Sequence, residues 1–212
     1  MKLSNLKWDD RYGYDYFERG PQTYSSLYEN YRWMPELTIP MACKLSKMYP
    51  NMSILDFGCA KGFLVHALNL VGVEAYGFDI SKYAIKHAPE AASKFLYGPD
   101  TADMMPDIDM IFAKDVFEHI GYLKISEILK TLAKLCTHAL FIVPFGKNGR
   151  YRIKQYNMDP THTIIENESW WSNQFTNAGF KIADFSYHIE GFKDNWKNYK
   201  NGNGFFRLWK FK

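Results

Sequence analysis

Ile54-Leu55-Asp56-Phe57-Gly58-Cys59-Ala60-Lys61-Gly62-Phe63 is an apolar run that ends beside an acid and opens into a loop of small residues. Met52–Phe57 reads as a short buried strand and Gly62–Val71 as the helix that follows it. Gly58, Ala60 and Gly62 follow Asp56 at steps of two. Small residues there let the backbone turn sharply and approach a ligand closely, and the next helix aims its first N–H groups back at the loop. A dinucleotide fingerprint spaces its glycines by two and then three. Here the last glycine comes one residue early, which disfavours a pyrophosphate cradle.

Outward from this loop the chain alternates. Glu74–Asp79 reads as a strand, and Ser81 caps a short helix that ends before Pro89. Lys94–Tyr97, Asp109–Ala113 and Ala139–Val143 read as further strands, the last stopped by Pro144. Tyr122–Cys136 is an amphipathic helix, and Ser169–Ala178 is a helix closed by Gly179. Lys181–His188 and Phe205–Phe211 form a closing antiparallel pair. The expected fold is α/β: a Rossmann-like, doubly wound, seven-stranded, mostly parallel sheet with an antiparallel final strand and helices on both faces. Ligands of such sheets bind beyond the carboxyl ends of the strands. Before the first strand lies an aromatic segment in which Tyr24, Tyr28 and Tyr31 fall at helical spacing, followed by a helix over Pro35–Met48. Residues 1–50 are read as an N-terminal aromatic helical segment, and 51–212 as one compact domain.

Composition narrows the function. A chain of 212 residues that is 47% hydrophobic can bury a full core. Its net charge of +3 is too small to argue for nucleic acid or an anionic membrane surface. Cys43, Cys59 and Cys136 are widely spaced with no CxxC, so neither a disulfide framework nor a zinc site is expected, and no metal is assigned. The first residues lack the apolar stretch of a signal peptide, and no apolar run approaches a membrane span. A soluble, cytoplasmic protein is expected.

ILDFGCAKGF resembles motif I of the class I S-adenosylmethionine-dependent methyltransferases, whose usual form is an acid followed by Gly-x-Gly-x-Gly; Ala60 departs from it at the middle position. The resemblance implies that Asp56, Gly58, Cys59, Ala60 and Gly62 wrap the methionine part of S-adenosylmethionine. Asp79 lies 23 residues after Asp56, near the roughly 20 expected for an acid that takes ribose hydroxyls. It could equally cap the helix starting near Ser81. Beside Asp79, Ile80 falls in the same contact region. After the third strand, the resemblance makes Asp100, with Thr101, the partner of the adenine amino group, with Asp103 as the competing assignment and a solvated acidic turn as the alternative for either.

Lys114-Asp115-Val116-Phe117-Glu118-His119-Ile120 resembles the fourth-strand segment of the ubiquinone-biosynthesis-like branch. This places Lys114 and Asp115 beside the methyl donor and has Glu118 and His119 order the site. Asp159-Pro160-Thr161-His162, followed by Ala178-Gly179-Phe180, also recurs in that branch. His162 is the candidate general base, unless it only packs under a lid or caps the next helix. His119 is the second candidate catalytic residue, against a purely structural role.

The resemblance also implies that residues 1–50 fold over the cofactor as a lid, so that rings of Tyr12, Tyr16, Tyr24, Tyr31 and Trp33 could lie near a sulfonium and Arg32 could meet the cofactor carboxylate, unless they form an aromatic stripe packed on the sheet. The stretch Gly191–Gly204, rich in aromatics and lysine, either rims a cleft for a sugar or nucleotide or is an exposed hairpin loop. The implied activity is O- or N-methylation of a small molecule or glycan. An NAD(P) oxidoreductase would need the other glycine spacing and a Tyr-x-x-x-Lys, which the chain lacks. A ribose methyltransferase acting on nucleic acid would need a Lys-Asp-Lys-Glu set, for which Asp115, Lys147 and Glu190 are available without the first lysine.

Overall fold

The computed structural model describes residues 2–8 and 11–210. Phe211, the expected end of the last strand, lies outside the described residues. The chain divides into two compact units, Met1–Met110 and Ile111–Lys212.

The first unit opens with two one-turn helices, α1 (Tyr14–Glu18) and α2 (Gly20–Thr23), and the longer α3 (Pro35–Met48). β1 (Ile54–Phe57), α4 (Phe63–Leu70), β2 (Ala75–Phe78), the short α5 (Lys82–Lys86) and α6 (Glu90–Ser93), and β3 (Leu96–Tyr97) follow. All four residues of β1 are buried, as expected of a parallel strand covered on both faces. β1 and β2 run parallel from Ile54↔Ala75 to Phe57↔Phe78, and β2 continues the register with β3 at Gly77↔Leu96. The three strands therefore end together, and the loops after Phe57, Phe78 and Tyr97 leave from one edge. α3 buries Met41, Ala42 and Leu45 and packs on α4, which buries Phe63, Leu64, Val65, Ala67 and Leu68.

β4 (Met110–Lys114) leads into the second unit, which holds α7 (Ile125–Leu135), β5 (His138–Pro144), the two-residue strands β6 (Gly146–Lys147) and β7 (Arg150–Tyr151), α8 (Glu168–Asn177), β8 (Lys181–Ser186) and β9 (Asn203–Trp209). α7 turns Ile125, Ile128, Leu129 and Leu132 inward at helical spacing. β9 is antiparallel to both its neighbours, pairing His138↔Trp209 with β5 and Lys181↔Trp209 with β8, with a bulge between Ile182 and Asp184. The sheet has seven strands in the order β3-β2-β1-β4-β5-β9-β8. This is the mostly parallel Rossmann-like arrangement expected, with the antiparallel final strand inserted between β5 and β8.

Two local readings change. Tyr24, Tyr28 and Tyr31 do not share a helix: Tyr24 is left-handed (φ 54°) and ends α2, and Asn30 is left-handed too (φ 49°). The segment folds back on α1 instead, where Tyr31 N–H donates to Phe17 O (2.9 Å), Gly20 N–H to Tyr28 O (2.9 Å), and Ser26 Oγ–H to Tyr16 O. The β6–β7 hairpin was not anticipated; its Asn148-Gly149 turn has both residues left-handed (φ 53° and 73°), as a two-residue hairpin requires.

Gly77 shows how tightly β2 sits against the β1 loop. A Cβ there would come within 2.6 Å of Cys59 Sγ and 2.7 Å of Leu96 Cδ2. Gly77→Ala is expected to destabilise by about 2 kcal/mol through overpacking, lowering the melting temperature by roughly 4–8 °C at this chain length. A thermal melt showing no change would mean that Cys59 has room to move.

Candidate active site

The loop after β1 has left-handed Gly58 (φ 82°), Ala60 (φ 50°) and Gly62 (φ 74°). Gly58 and Cys59 N–H donate to Phe78 O (2.8 and 3.2 Å), so the loop leaves β1 over the end of β2. Ala60 N–H donates to Asp79 Oδ2 (2.7 Å), and Ser81 N–H donates to Asp79 Oδ1 (2.8 Å). Asp79 thereby joins the loop after β1 to the loop after β2. A carboxylate has about four acceptor sites, and the backbone amides engage one on each oxygen. Ser81, not Asp79, caps α5: its Oγ accepts from Ala84 N–H (2.9 Å) and donates to Tyr12 O (2.5 Å). Cys59 is buried with its thiol against Gly77. Burial, then the charges of Asp79 and Asp56, push that thiol well above its ordinary range.

Lys61 was not singled out from sequence, yet it is the residue of this loop that reaches furthest. Its Nζ is buried and donates to Glu18 Oε1 (2.5 Å) and to Tyr31 O (2.8 Å). Tyr83 OH donates to the same Glu18 oxygen (3.1 Å). Burial and then Glu18 push the Tyr83 phenol up to about 12. Tyr16, Phe17 and Ala84 form a cluster against which Tyr12, Tyr31, Ala60 and Tyr83 pack. Of the expected lid residues, Tyr12, Tyr16 and Tyr31 thus meet the loop region, whereas Tyr24 is 86% exposed and Arg32 is exposed. Trp33 donates to Thr38 Oγ1 (2.8 Å) and meets the His66 ring edge-on. Asp100 and Thr101 lie on an exposed 3₁₀ turn over Pro99–Met104, where Thr101 Oγ1 accepts from Gly98 N–H (3.0 Å). Asp103 accepts from Ser4 Oγ–H (2.8 Å), while Asp100 meets only the exposed Lys82 at 3.4 Å.

In the second unit, Asp115 follows β4 in a left-handed conformation (φ 57°) and accepts from three side chains. Lys193 Nζ and Tyr156 OH (3.1 Å) donate to Oδ1, and Lys114 Nζ donates to Oδ2 (3.1 Å). Burial alone would raise the carboxyl, but the charges of Lys193 and then Lys114 outweigh it and hold Asp115 far below the usual carboxylate range. Lys193 is buried, is left-handed (φ 55°), and also donates to Asn203 Oδ1 (2.7 Å). Left-handed non-glycine residues are costly and gather at functional sites. Here two of them are joined by one ion pair. Lys147, the lysine named from sequence as a partner for Asp115, is exposed on β6.

His119 and His162 are brought together, their ring centroids 4.5 Å apart. Thr161 Oγ1 donates its proton to Asp159 Oδ1 (2.6 Å) and so accepts from His119 Nδ1–H (2.8 Å). His162 Nδ1–H donates to Tyr156 O (2.7 Å). Both rings therefore carry the lone pair of their neutral form on Nε2. His162 does not cap α8; Asn167 does, accepting from Trp170 N–H (3.0 Å). The backbone carbonyl of Glu118 accepts from Thr163 and Ile164 N–H (2.8 and 3.0 Å), which ties the two histidine-bearing loops together. The Glu118 side chain is fully buried and neither carboxyl oxygen has a hydrogen-bond partner. Burial, then the charge of Asp115, push that carboxyl well above its ordinary range.

The stretch between β8 and β9 is largely exposed. With the flanking strand ends it lines a cavity of about 330 Å³, whose walls include Tyr187, Lys193, Trp196, Lys197, Tyr199 and Lys200. Lys193 joins this wall to Asp115.

A family profile described as a methyltransferase domain matches residues 38–184. No curated protein matches the chain. Solved structures do. A SAM-dependent methyltransferase from Archaeoglobus fulgidus is 16% identical, with a TM-score of 0.59 over 80% of this chain and 92% of that one. Magnesium protoporphyrin IX methyltransferase of Synechocystis PCC 6803, with bound SAH, is 20% identical, with a TM-score of 0.59 over 81% of this chain and 80% of that one. Mitomycin 7-O-methyltransferase is 12% identical, with a TM-score of 0.61 over 82% of this chain and 54% of that one. At these identities the likeness is one of fold.

Two outcomes follow from the first unit's loop. Lys61→Met leaves Glu18 without its cation in a pair whose side chains are only 10% and 16% exposed. The expected loss is about 3 kcal/mol, the lower end of the range for unpairing a buried charge, with faster amide exchange across residues 12–31. Uniform exchange rates in the variant would show that Lys61 does not hold this segment. For the thiols, Cys59 and Cys136 are buried and Cys43 is partly exposed. Burial pushes Cys136 up to about 12. At pH 8 a thiol reagent should therefore modify Cys43 alone in the native protein and all three cysteines in urea. Fast native labelling of Cys59 would contradict the burial of the loop.

Proposed function

The chain belongs to the class I S-adenosylmethionine-dependent methyltransferases, and we propose that within this family it methylates a hydroxyl of a small, anionic, glycan-like acceptor. The observation that carries the acceptor reading is the cavity walled by Trp196, Tyr199 and Tyr187 with the exposed Lys197 and Lys200. Flat rings suit the faces of a sugar ring, and lysines beside them suit a carboxylate or phosphate.

The residues of the first unit fit the donor. Gly58, Ala60 and Gly62 keep the loop thin at three left-handed positions, and Asp79 presents a carboxylate whose position is set by two backbone amides. We assign the methionine portion to Asp56, Gly58, Cys59, Ala60 and Gly62, the ribose to Asp79 with Ile80 beside it, and the adenine to Asp100 and Thr101. For Lys114 and Asp115, at the end of β4, a donor role rests on the resemblance alone. When bound, S-adenosylmethionine supplies a methyl group already activated by its sulfonium charge. The protein must hold the acceptor atom in line and exclude water. The N-terminal residues 1–50, latched through Glu18, Tyr31 and Tyr12 onto Lys61 and Ser81, serve as the lid that excludes it. An acceptor hydroxyl must also lose its proton, and the Nε2 lone pairs of His162 and His119 are the groups we assign to that end of the reaction. We place the protein in a reducing compartment such as the cytoplasm, a reading supported by its three free cysteines. No helix among the described residues is long and apolar enough to cross a membrane.

Saturating S-adenosylmethionine at about 100 times its Kd should stabilise by about 2.7 kcal/mol, a rise of roughly 5–10 °C, and NADH should give none. Asp79→Asn should weaken binding at least tenfold. With an acceptor panel, sugar acids and sugar phosphates should turn over and neutral sugars should not. Lys197→Glu with Lys200→Glu should raise the acceptor KM while leaving kcat within about twofold. His162→Ala should lower kcat by about 10²–10⁴. Equal turnover of neutral and anionic acceptors would sink the acceptor assignment.

A further inference from the structure

We propose that Glu118, His119 and His162 form a binding site for one divalent transition-metal cation. One ligand atom of each lies within 4.8 Å of those of the other two, close enough for a single ion to reach all three. No sequence spacing announced the set, because His162 comes from a loop 43 residues beyond His119. The backbone bonds from Thr163 and Ile164 to Glu118 O close that distance.

Three observations point the same way. First, each histidine is held by its Nδ1, His119 on Thr161 Oγ1 and His162 on Tyr156 O. Metal-ligating histidines are oriented in this way, with the second ring nitrogen donating to a carbonyl or other acceptor and the lone pair turned to the ion. Second, the Thr161 hydroxyl is itself oriented by Asp159, so His119 carries a carboxylate behind it at one remove. Third, and independently, the Glu118 carboxyl is fully buried with both oxygens lacking a hydrogen-bond donor. Buried polar groups are rarely left so. Asp115, three residues earlier, receives both nearby ammonium groups, Lys114 and Lys193. Glu118 is thus a buried carboxyl beside two imidazoles, and a cation satisfies it.

Two imidazoles and one carboxylate are the protein ligands of catalytic zinc sites that keep a further position for water or substrate. A dication on this set retains a net positive charge and would stabilise an alkoxide at that position. With the ion bound, the Nε2 lone pairs of His119 and His162 would be taken up by it, and stabilisation of the alkoxide by the cation would replace their role as bases; the inference rests on the proposed function for what the cation does, though not for whether it binds.

The test is titration of the chelator-treated full chain with Co2+, followed by visible absorption, with Zn2+ as competitor. A single equivalent should bind with micromolar or tighter affinity and develop the ligand-field bands of a nitrogen- and oxygen-ligated site. Glu118→Gln and His162→Gln should each abolish those bands, and His87→Gln should leave them unchanged. If either ligand variant fails to fold, Thr161→Val, which removes only the hydroxyl orienting His119, should weaken binding by about 10- to 100-fold. No stoichiometric binding of Co2+ or Zn2+ to the intact protein, or binding indifferent to these variants, overturns the proposal. Calorimetry with S-adenosylhomocysteine, run in parallel, tests the donor assignment by itself. A protein that binds Co2+ but not this ligand loses the donor assignment and keeps the metal site.

Discussion

The carboxylate of Asp79 accepts from Ala60 N–H on one oxygen and from Ser81 N–H on the other, and the geometry of the first unit depends on that bridge. A parallel pair of strands brings two βα loops to the same edge but does not fix the distance between them. Here a charged acceptor spans the gap with two backbone donors, and hydrogen bonds to a charged group are the stronger kind. The bridge lets Ala60 hold a left-handed conformation that a residue with a Cβ otherwise resists. It also fixes the acid itself, so the group assigned to a ribose is preorganised before any ligand arrives. On the proposed ribose assignment this side chain would both build the site and meet the ligand, coupling loop order to occupancy, because the same carboxylate would serve both sets of donors.

The N-terminal segment attaches to this bridge through its neighbours. Ser81 gives its amide to Asp79, its hydroxyl oxygen to the α5 N-terminus and its proton to Tyr12 O. Lys61, next to Ala60, gives its ammonium to Glu18 and Tyr31 O. Each link is polar and sits among aromatic rings, and in such surroundings an unmade bond is expensive.

What could be read from sequence follows from how local the determinants are. β1, its loop and the acid after β2 were legible because a buried parallel strand is a continuous apolar run, and left-handed positions select small residues. The antiparallel closing pair, read from sequence at Lys181–His188 and Phe205–Phe211, is found at Lys181–Ser186 and Asn203–Trp209. The N-terminal tyrosines misled because helical spacing is only permissive. Gly20 lies within 2.9 Å of Tyr28 O through its amide, and that turn, with Ser26 bonded to Tyr16 O, overrides the spacing. Lys61 and Lys193 were missed for the opposite reason. Each looks like an ordinary surface lysine in sequence, and only the fold shows that it is buried on an acid.

The second unit divides charge unequally between two acids three residues apart. Asp115 draws Lys193, Lys114 and the Tyr156 hydroxyl, while Glu118, more deeply buried, draws none for its side chain. Were stability the sole requirement, an apolar residue would serve at Glu118 as well, since a buried carboxyl without partners adds only a desolvation penalty. The surroundings are not loose enough to explain it as an accident. Its carbonyl is bonded twice by backbone amides, and its neighbour His119 is oriented through Thr161 and Asp159. A shell this well determined around one unsatisfied group is the arrangement expected of a site that completes itself with a ligand. The proximity of His162 makes a cation the ligand that would satisfy all three side chains at once.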